Sequence, residues 1–581
     1  VKLSIQGDTL VASCLTNDQY MVIRGWNLMS WNRTSKAMTG KVSVELLDHF
    51  KVFGRLPAHV GEVLEDLRRK EALASAAKLE EDPRPLTDFP VKAELFKHQI
   101  RGANCALLTF GWDPAAEGFE AAQNGGRGYG ELFEMGCGKT LTAIAIAGVL
   151  WQYGKVNKLL VVAPTSVVGV WPKEFAEYAD FAFVAAPLLG DKSKRIEALK
   201  DLDRDRSGAL QVAIINYEST WREGIYEALE GWDPDMIIAD ESQRIKTHDA
   251  AQSKAMHKLG DRARYKLILS GTPVQNNAVD IFSQYRFLDP SVFGTNYYAF
   301  RNHYAVMGGF NKKQIVGYRD LEDLIRREHS IAYRVTKAEA LDLPEQTFEN
   351  RYVQLDANER RTYDQLRRDS YAELENGDSI TAATVLTKLL RLQQLTGGFM
   401  QTDDAPYPKH VHNAKLDALR EIIEECVDQR QKVVVFARFT PEIDLICKEL
   451  ERSGIKCGMI DGRTPLEHKK DQLGVEHMSR SEIVQDFQTN PETLVFVAQI
   501  QTAGLGITLH AASVAVFYSL DFNYANYTQA TARIHRIGQR NCCTYIHIIA
   551  EKTVDEKVLK AIEAKDDLAR GIVDNWREVL G

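Results

Sequence analysis

The sequence predicts an α/β protein: two lobes built on parallel sheets, joined by a helical middle and preceded by a small α+β module. Three observations carry that. Short apolar runs alternate with helical stretches from about 130 to 271, and again from about 432 to 550. Such alternation argues for parallel sheets. The 581 residues leave room for about four units, at roughly 150 residues each. Hydrophobic residues at 44% and charged residues at 26% fit a globular chain rather than a disordered one.

Residues 1–90 form the front module. The runs "KLSIQG", "TLVASC" and "YMVIRGW" read as strands. Helical stretches follow near Ser43–Phe50 and Ala58–Glu80, and "EEDPRPLTDFP" (80–90) reads as a proline-bearing linker. The first lobe, 91–290, carries "GELF" (130–133), "KLLVVAP" (158–164), "LQVAIINY" (210–217), "DMIIAD" (235–240) and "YKLILSG" (265–271). The middle, 291–410, is mostly helical, with "ANERRTYDQLRRDSYAELEN" and "TKLLRLQQL". The second lobe, 411–550, returns to "KVVVFAR", "IKCGMIDG", "TLVFVAQ", "SVAVFYSL" and "CTYIHIIA". Residues 551–581 read as a charged amphipathic helix.

Composition excludes several classes. Lys plus Arg is 72 against 80 Asp plus Glu, a formal charge of −8, which is not a wholly basic nucleic-acid binder. A local basic track remains compatible with it. No window is apolar enough for a membrane span, and the opening "VKLSIQGDTL" lacks the order of a secretory signal. A soluble, intracellular protein without a membrane partner is expected, in a prokaryotic cytoplasm or virus-encoded rather than nuclear. The eight cysteines form no C-x-x-C pair and read as reduced, buried thiols.

"ELFEMGCGKTLTAIAIAGVL" places Gly136, Cys137, Gly138, Lys139 and Thr140 between a β run and a helix. Glycines let backbone amides approach phosphates, and the helix start adds positive potential. Lys139 would reach the outer phosphates of a nucleotide, and Thr140 would ligate Mg²⁺. Phe133 stands where the first glycine of a full G-x-x-x-x-G-K-T would be. Asp240 and Glu241 end an apolar strand, the edge where α/β sheets bind ligands. Asp240 would hold Mg²⁺, and Glu241 would orient and deprotonate the attacking water. In "QATARIHRIGQR", Gln529, Arg533 and Arg536 fall on one helical face at i, i+4 and i+7. The arginines would reach a nucleotide from the second lobe, so hydrolysis would require lobe closure.

These motifs, in this order, resemble the Swi/Snf-type branch of superfamily-two helicases, double-stranded-DNA translocases. "FKHQIRGA" is similar to the glutamine motif, which implies Gln99 as adenine reader. "EMGCGKT", "VVAPTSVVGVWPKEF", "DESQ", "LILSGTPVQN", "VVVFARFT", "QTAGLGITLHAAS" and "QATARIHRIGQ" resemble successive helicase motifs, and "TVDEKVL" a closing brace. The resemblance implies two tandem RecA-like P-loop NTPase lobes, ATP and Mg²⁺ as cofactors, and hydrolysis coupled to movement along duplex DNA. Gly506 joins the nucleotide set, and Gln243, Ser270 and Thr272 couple nucleotide state to DNA. DNA held by its phosphate backbone would meet Thr165, Ser166, Asn216 and Tyr217 in the first lobe. In the second it would meet Arg438, Gln501, Thr502 and Gly504. Arg334 and Lys337 resemble a basic element of the branch, or belong to a solvated helix face.

The sequence departs from the pattern at Gln243, where histidine is usual, at Thr508, and at Leu132 and Phe133. Insertions at 113–130 and 466–479 read as loops. Trp26 and Trp31 make either a small core or an exposed aromatic surface. A strand-separating or annealing helicase is the alternative reading, with an RNA-dependent ATPase further away. A degenerate, non-enzymatic scaffold fits poorly with intact Lys139, Asp240, Glu241, Arg533 and Arg536.

Overall fold

The computed structural model describes residues 1–26, 28–119, 127–309, 314–375, 382–400, 408–465, 468–470, 476–505 and 507–573. Contacts divide the chain into two compact units, Val1–Ala340 with the described residues from Leu568 on, and Leu341–Asp567. The division falls inside the stretch read as a helical middle. Gly506, and parts of the two insertions and of the terminal helix, lie outside the described residues.

The front module is a four-stranded antiparallel sheet, ordered β1-β2-β4-β3, with β1 Lys2–Gln6, β2 Thr9–Ser13, β3 Ser30–Asn32 and β4 Ala37–Lys41. The stretch read as a third strand, "YMVIRGW", is instead inside the helix Asn17–Gly25. A reciprocal capping box decides this: Gln19 N donates to Thr16 Oγ1, and Thr16 N donates to Gln19 Oε1. T-x-x-Q is a local start signal that outweighs the β-branched Val22 and Ile23. Trp26 packs on His49, Phe50 and Phe53, whereas Trp31 stays 45% exposed. The two readings of the tryptophans are therefore both half right. Arg327 grips Glu45 through two bonds of 2.6 Å, which ties the module to the rest of its unit. The linker 80–90 is also pinned: the Asn104 side chain bonds Arg84 O and Leu86 N.

The first unit is centred on a seven-stranded parallel sheet. Its strands are β5 Arg127–Phe133, β6 Lys158–Ala163, β7 Phe183–Pro187, β8 Leu210–Asn216, β9 Met236–Asp240, β10 Tyr265–Leu269 and β11 Ala332–Val335. The order is β11-β5-β10-β9-β6-β8-β7, and every pairing is parallel. Residues such as Leu159–Ala163 and Val212–Ile215 are fully buried, as a sheet covered on both faces requires. β10 lies between β5 and β9, so three neighbouring C-terminal strand ends meet at one edge.

The second unit holds a six-stranded parallel sheet ordered β12-β17-β16-β13-β15-β14. The strands are β12 Gln346–Val353, β13 Val433–Ala437, β14 Cys457–Ile460, β15 Val495–Gln499, β16 Val514–Phe517 and β17 Cys543–Ala550. Several strands arise in the supposed helical middle, and among them β11 completes one sheet and β12 the other. The helices expected there do form, at Ala357–Glu375 and Ala382–Thr396. The terminal helix Val554–Val573 carries Asp555 in its first turn, whose carboxylate takes Lys415 at 2.6 Å and Thr396 Oγ1 at 2.9 Å. Among the described residues, no helix is long and apolar enough to cross a membrane.

Candidate functional site

β5 ends at Phe133, and the helix Lys139–Gln152 starts six residues on. Gly136 (φ 90°) and Gly138 (φ 80°) make the turn between them in a region that side chains disfavour. The first-glycine position is part of the core instead. The Phe133 ring lies edge-on to His98 and Tyr333, and its carbonyl accepts Lys139 Nζ at 3.0 Å. The loop is braced from the helix Lys97–Thr109. His98 Nε2 donates to Cys137 O at 2.9 Å, and Gln99 Nε2 donates to Gly138 O at 3.2 Å. Gln99 Oε1 accepts Phe96 N at 2.9 Å. Gln99 therefore holds the loop, a role its expected part in base reading did not include. A Cβ on Gly138 would land 2.3 Å from Gln99 Nε2, so another residue there would displace Gln99 and strain the backbone at φ 80°. The Cys137 side chain is buried and its thiol is pushed up to about 11 by that burial, while its amide donates to Glu134 O at 3.2 Å. Thr140 opens the helix on the same loop.

Asp240 ends β9 and is 8% exposed. Burial, then the charge of Glu241, pushes its carboxyl up to about 7, while the Trp171 bond and Lys139 act against them. Trp171 Nε1 donates to Asp240 Oδ2 at 3.1 Å, and Tyr217 OH donates to the Asp240 carbonyl at 2.8 Å. Glu241 sits at φ 51°, a left-handed conformation that turns the chain sharply after the strand. A relay follows. Gln243 Nε2 donates to Glu241 Oε2 at 2.5 Å, Ser270 Oγ donates to Gln243 Oε1 at 2.8 Å, and Thr272 N donates to Ser270 Oγ at 3.1 Å. Both amide ends of Gln243 bond within the first unit, which links Glu241 to the Ser270–Thr272 turn.

The expected phosphate-backbone residues divide. Thr165 is exposed and Ser166 half-buried, in the turn after β6. Thr165 Oγ1 and Asn216 Nδ2 both donate to Glu218 Oε2, and Asn216 Oδ1 accepts Arg195 at 2.9 Å. Tyr217 is a correction: it is fully buried with its hydroxyl spent on Asp240, so its side chain cannot meet a polyanion. In the second unit, Arg438 and Gln501 line an open recess of about 360 Å³ with Gln394, Phe399 and Gln499. Thr502 Oγ1 donates to Gln499 O at 2.7 Å, and Gly504 lies in the short helix Ile500–Leu505. Glu442, fully buried and pushed up to about 7 by burial, accepts the Arg438 and Phe439 amides and the Ser519 hydroxyl.

The helix carrying Gln529 is Tyr524–Thr531, so Arg533 and Arg536 do not share its face. They lie in the turn beyond it. Gln539 ties that turn: its Nε2 donates to the carbonyls of His510, Ala512 and Ile534, and its Oε1 accepts the amides of Arg540 and Asn541. The arginines still converge, both donating to Ile507 O, at 3.3 and 3.4 Å. Arg334 is the last correction. It is neither a basic surface element nor on a helix, but a buried residue of β11. Trp171 as a partner of Asp240 had no sequence signal, because the two lie 69 positions apart. His98, beside Gln99, had none beyond its neighbour.

A glycine loop with its lysine, an acidic strand end and a Ser/Thr turn on adjoining parallel strands define the P-loop NTPase class, here in a chain with a second α/β unit. Residues 132–397 match the SNF2-related domain and residues 414–538 the helicase conserved C-terminal domain. The chain belongs to the SNF2-related helicase family. It is similar to an uncharacterized ATP-dependent helicase of Mycoplasma genitalium, 26% identical over 443 residues, covering 75% of this chain and 39% of that one. It is also similar to the DNA repair and recombination protein RAD54-like of Drosophila erecta, 29% identical over 492 residues, covering 76% and 59%. A solved structure described as the Sulfolobus solfataricus SWI2/SNF2 ATPase core in complex with dsDNA matches 85% of this chain and 97% of that one. The identity is 23% and the TM-score 0.38. The chain spans about two fifths of the Mycoplasma relative and under two thirds of the RAD54-like one.

Proposed function

We propose that the protein hydrolyses ATP and uses the cycle to move along duplex DNA, remodelling DNA or DNA–protein complexes. One observation carries the reading. The loop of Lys139, the Asp240–Glu241 strand end and the Ser270–Thr272 turn follow the neighbouring strands β5, β9 and β10, with Ser270 N bonded to Glu131 O and Ser270 Oγ bonded through Gln243 to Glu241. Family membership and the RAD54-like relative favour DNA as the track.

Gly136 and Gly138 would present amides to the phosphates, Lys139 would leave the Phe133 carbonyl for them, and Gln99 would keep the loop in shape. A buried carboxylate with one oxygen on Trp171 suits a divalent cation, so Asp240 and Thr140 would hold Mg²⁺. The ion would neutralise phosphate charge. Glu241, fixed by Gln243, would orient the attacking water and take its proton. Arg533 and Arg536 are proposed to complete the site from the second unit, with Gln529 and Gly506 nearby in sequence. Thr165, Ser166, Asn216, Arg438, Gln501, Thr502 and Gly504 are proposed to meet the DNA backbone.

The test is ATP turnover against duplex DNA, single strands, forks and RNA at several salt concentrations. Stimulation by duplex that weakens with salt is expected, because backbone contacts release counterions. Stimulation by RNA alone, or none by duplex, would overturn the reading.

A further inference from the structure

Arg334 is a strongly basic side chain that the fold turns inward, and two other segments of the first unit meet on it. It is 5% exposed. Its NH1 donates to Leu132 O and to Gly271 O, each at 3.0 Å, and its NH2 reaches Glu134 Oε1 at 3.2 Å. Leu132 and Glu134 lead into the phosphate loop, and Gly271 sits between Ser270 and Thr272. The second Glu134 oxygen accepts Lys337 N at 2.8 Å, and Glu134 N donates to Val335 O at 2.9 Å. A Cβ on Gly271 would lie 3.3 Å from both Phe133 O and Met135 N, so the loop and the turn already touch. The stretch held in this way, 334–340, is where the chain leaves the first unit, and Leu341 begins the second.

We propose that Arg334 is a positioning residue that transmits the state of the phosphate loop to the segment entering the second unit, with Glu134 as its counter-charge. The physical reason is the number of fixed bonds at one point. A shift of the loop when Lys139 releases Phe133 O moves Leu132 and Glu134, and the guanidinium fork carries that shift to β11 and the 336–340 turn. A planar fork with three acceptors has one low-energy placement, so it passes on displacement rather than absorbing it. Buried, fully bonded networks behave as two discrete arrangements rather than as elastic media. The proposal rests on the ATP reading of the same site.

The experiment uses the full chain and the variants Arg334→Lys, Glu134→Gln and their combination. Binding of a fluorescent ATP analogue, turnover with and without duplex DNA, and hydrogen exchange over 332–340 are measured. In the wild type, nucleotide slows exchange in that segment. Arg334→Lys keeps a charge but loses the fork. It is expected to lower duplex stimulation by roughly 10-fold, inside the usual span of coupling between sites, with nucleotide affinity shifted less than about 3-fold. The exchange response disappears with it. Glu134→Gln reduces the exchange response as well, and the double variant is no worse than Arg334→Lys, because both remove one bond pair. Unchanged stimulation and an unchanged exchange response in Arg334→Lys would overturn the proposal. So would affinity, kcat and unfolding midpoint falling together, which is what a purely architectural arginine gives. A wild type that binds no ATP analogue would instead remove the ATP reading, and the coupling with it.

Discussion

The two units carry their charged site residues in different ways. In the first, the acids stand on strand ends and their bonds close locally: Asp240 on Trp171, Glu241 on Gln243, Gln243 on Ser270. In the second, Arg533 and Arg536 ride on a turn that one side chain, Gln539, holds together. The difference teaches that the first unit is preorganised by its sheet, while the arginines depend on a small polar hub. Groups at strand ends inherit the rigidity of the sheet, and groups on a turn depend on the side chains that tie it.

The largest expected effect tests the preorganised side. Lys139→Ala should take ATP turnover to background, and Glu241→Gln should lower kcat by roughly 10²–10⁴-fold with nucleotide binding retained. Wild-type turnover in Glu241→Gln would remove the base from the account. On the other side, Arg536→Ala should lower kcat by about 10³-fold in steady-state assays with little change in ATP affinity. An affinity loss alone would make it a binding residue.

The hub itself is next. Gln539→Ala removes the donor to two buried carbonyls and one part-buried one, so chemical denaturation should show the second unit destabilised by about 1–3 kcal/mol. Its kcat should fall in the direction of Arg536→Ala. Unchanged turnover would mean the turn keeps its shape without Gln539.

Asp240 gives a pH signature for the first unit. Its folded carboxyl titrates near 7, above its ordinary 3.8, so the folded chain holds the proton more tightly than the unfolded one. Without metal or nucleotide, stability should therefore fall as pH rises from about 4 toward 7, by up to ~1.4 kcal/mol per pH unit. Asp240→Asn should flatten that part of the curve in urea titrations. The smallest effect is Tyr217→Phe, which removes one hydroxyl bond and should cost about 1 kcal/mol. DNA affinity should be unaltered, and a clear loss of affinity would restore Tyr217 to the backbone path.

Much of this was readable from residues. The ten apolar runs named in the two lobes all became strands, because a sheet buried on both faces writes itself as uninterrupted Val, Ile and Leu. β12 was not readable: "QTFENRYV" mixes polar residues on both sides, as an exposed strand permits. The helix at Asn17–Gly25 was hidden by its β-branched residues, though its T-x-x-Q start was in view. Gln529, Arg533 and Arg536 fit a helical spacing, yet the helix stops at Thr531 and Gly538, at φ 99°, turns the chain further on. Spacing alone does not report a stop made by distant carbonyls. Asn216 and Tyr217 could not be told apart from sequence either, since β8 is buried throughout and only the fold shows where each polar tip goes. The net charge of −8 proved compatible with local cation sites, among them Lys139 on its loop and Arg438 at its recess.

The central claim is that ATP hydrolysis moves this protein along duplex DNA. A third DNA strand bound in the major groove of a duplex, downstream of a loading site, tests it directly. The wild type should displace that strand only with hydrolysable ATP, leaving the duplex paired, and Lys139→Ala should not displace it. ATP turnover stimulated by duplex while the third strand stays bound would contradict translocation, and separation of the duplex strands would point to the strand-separating alternative.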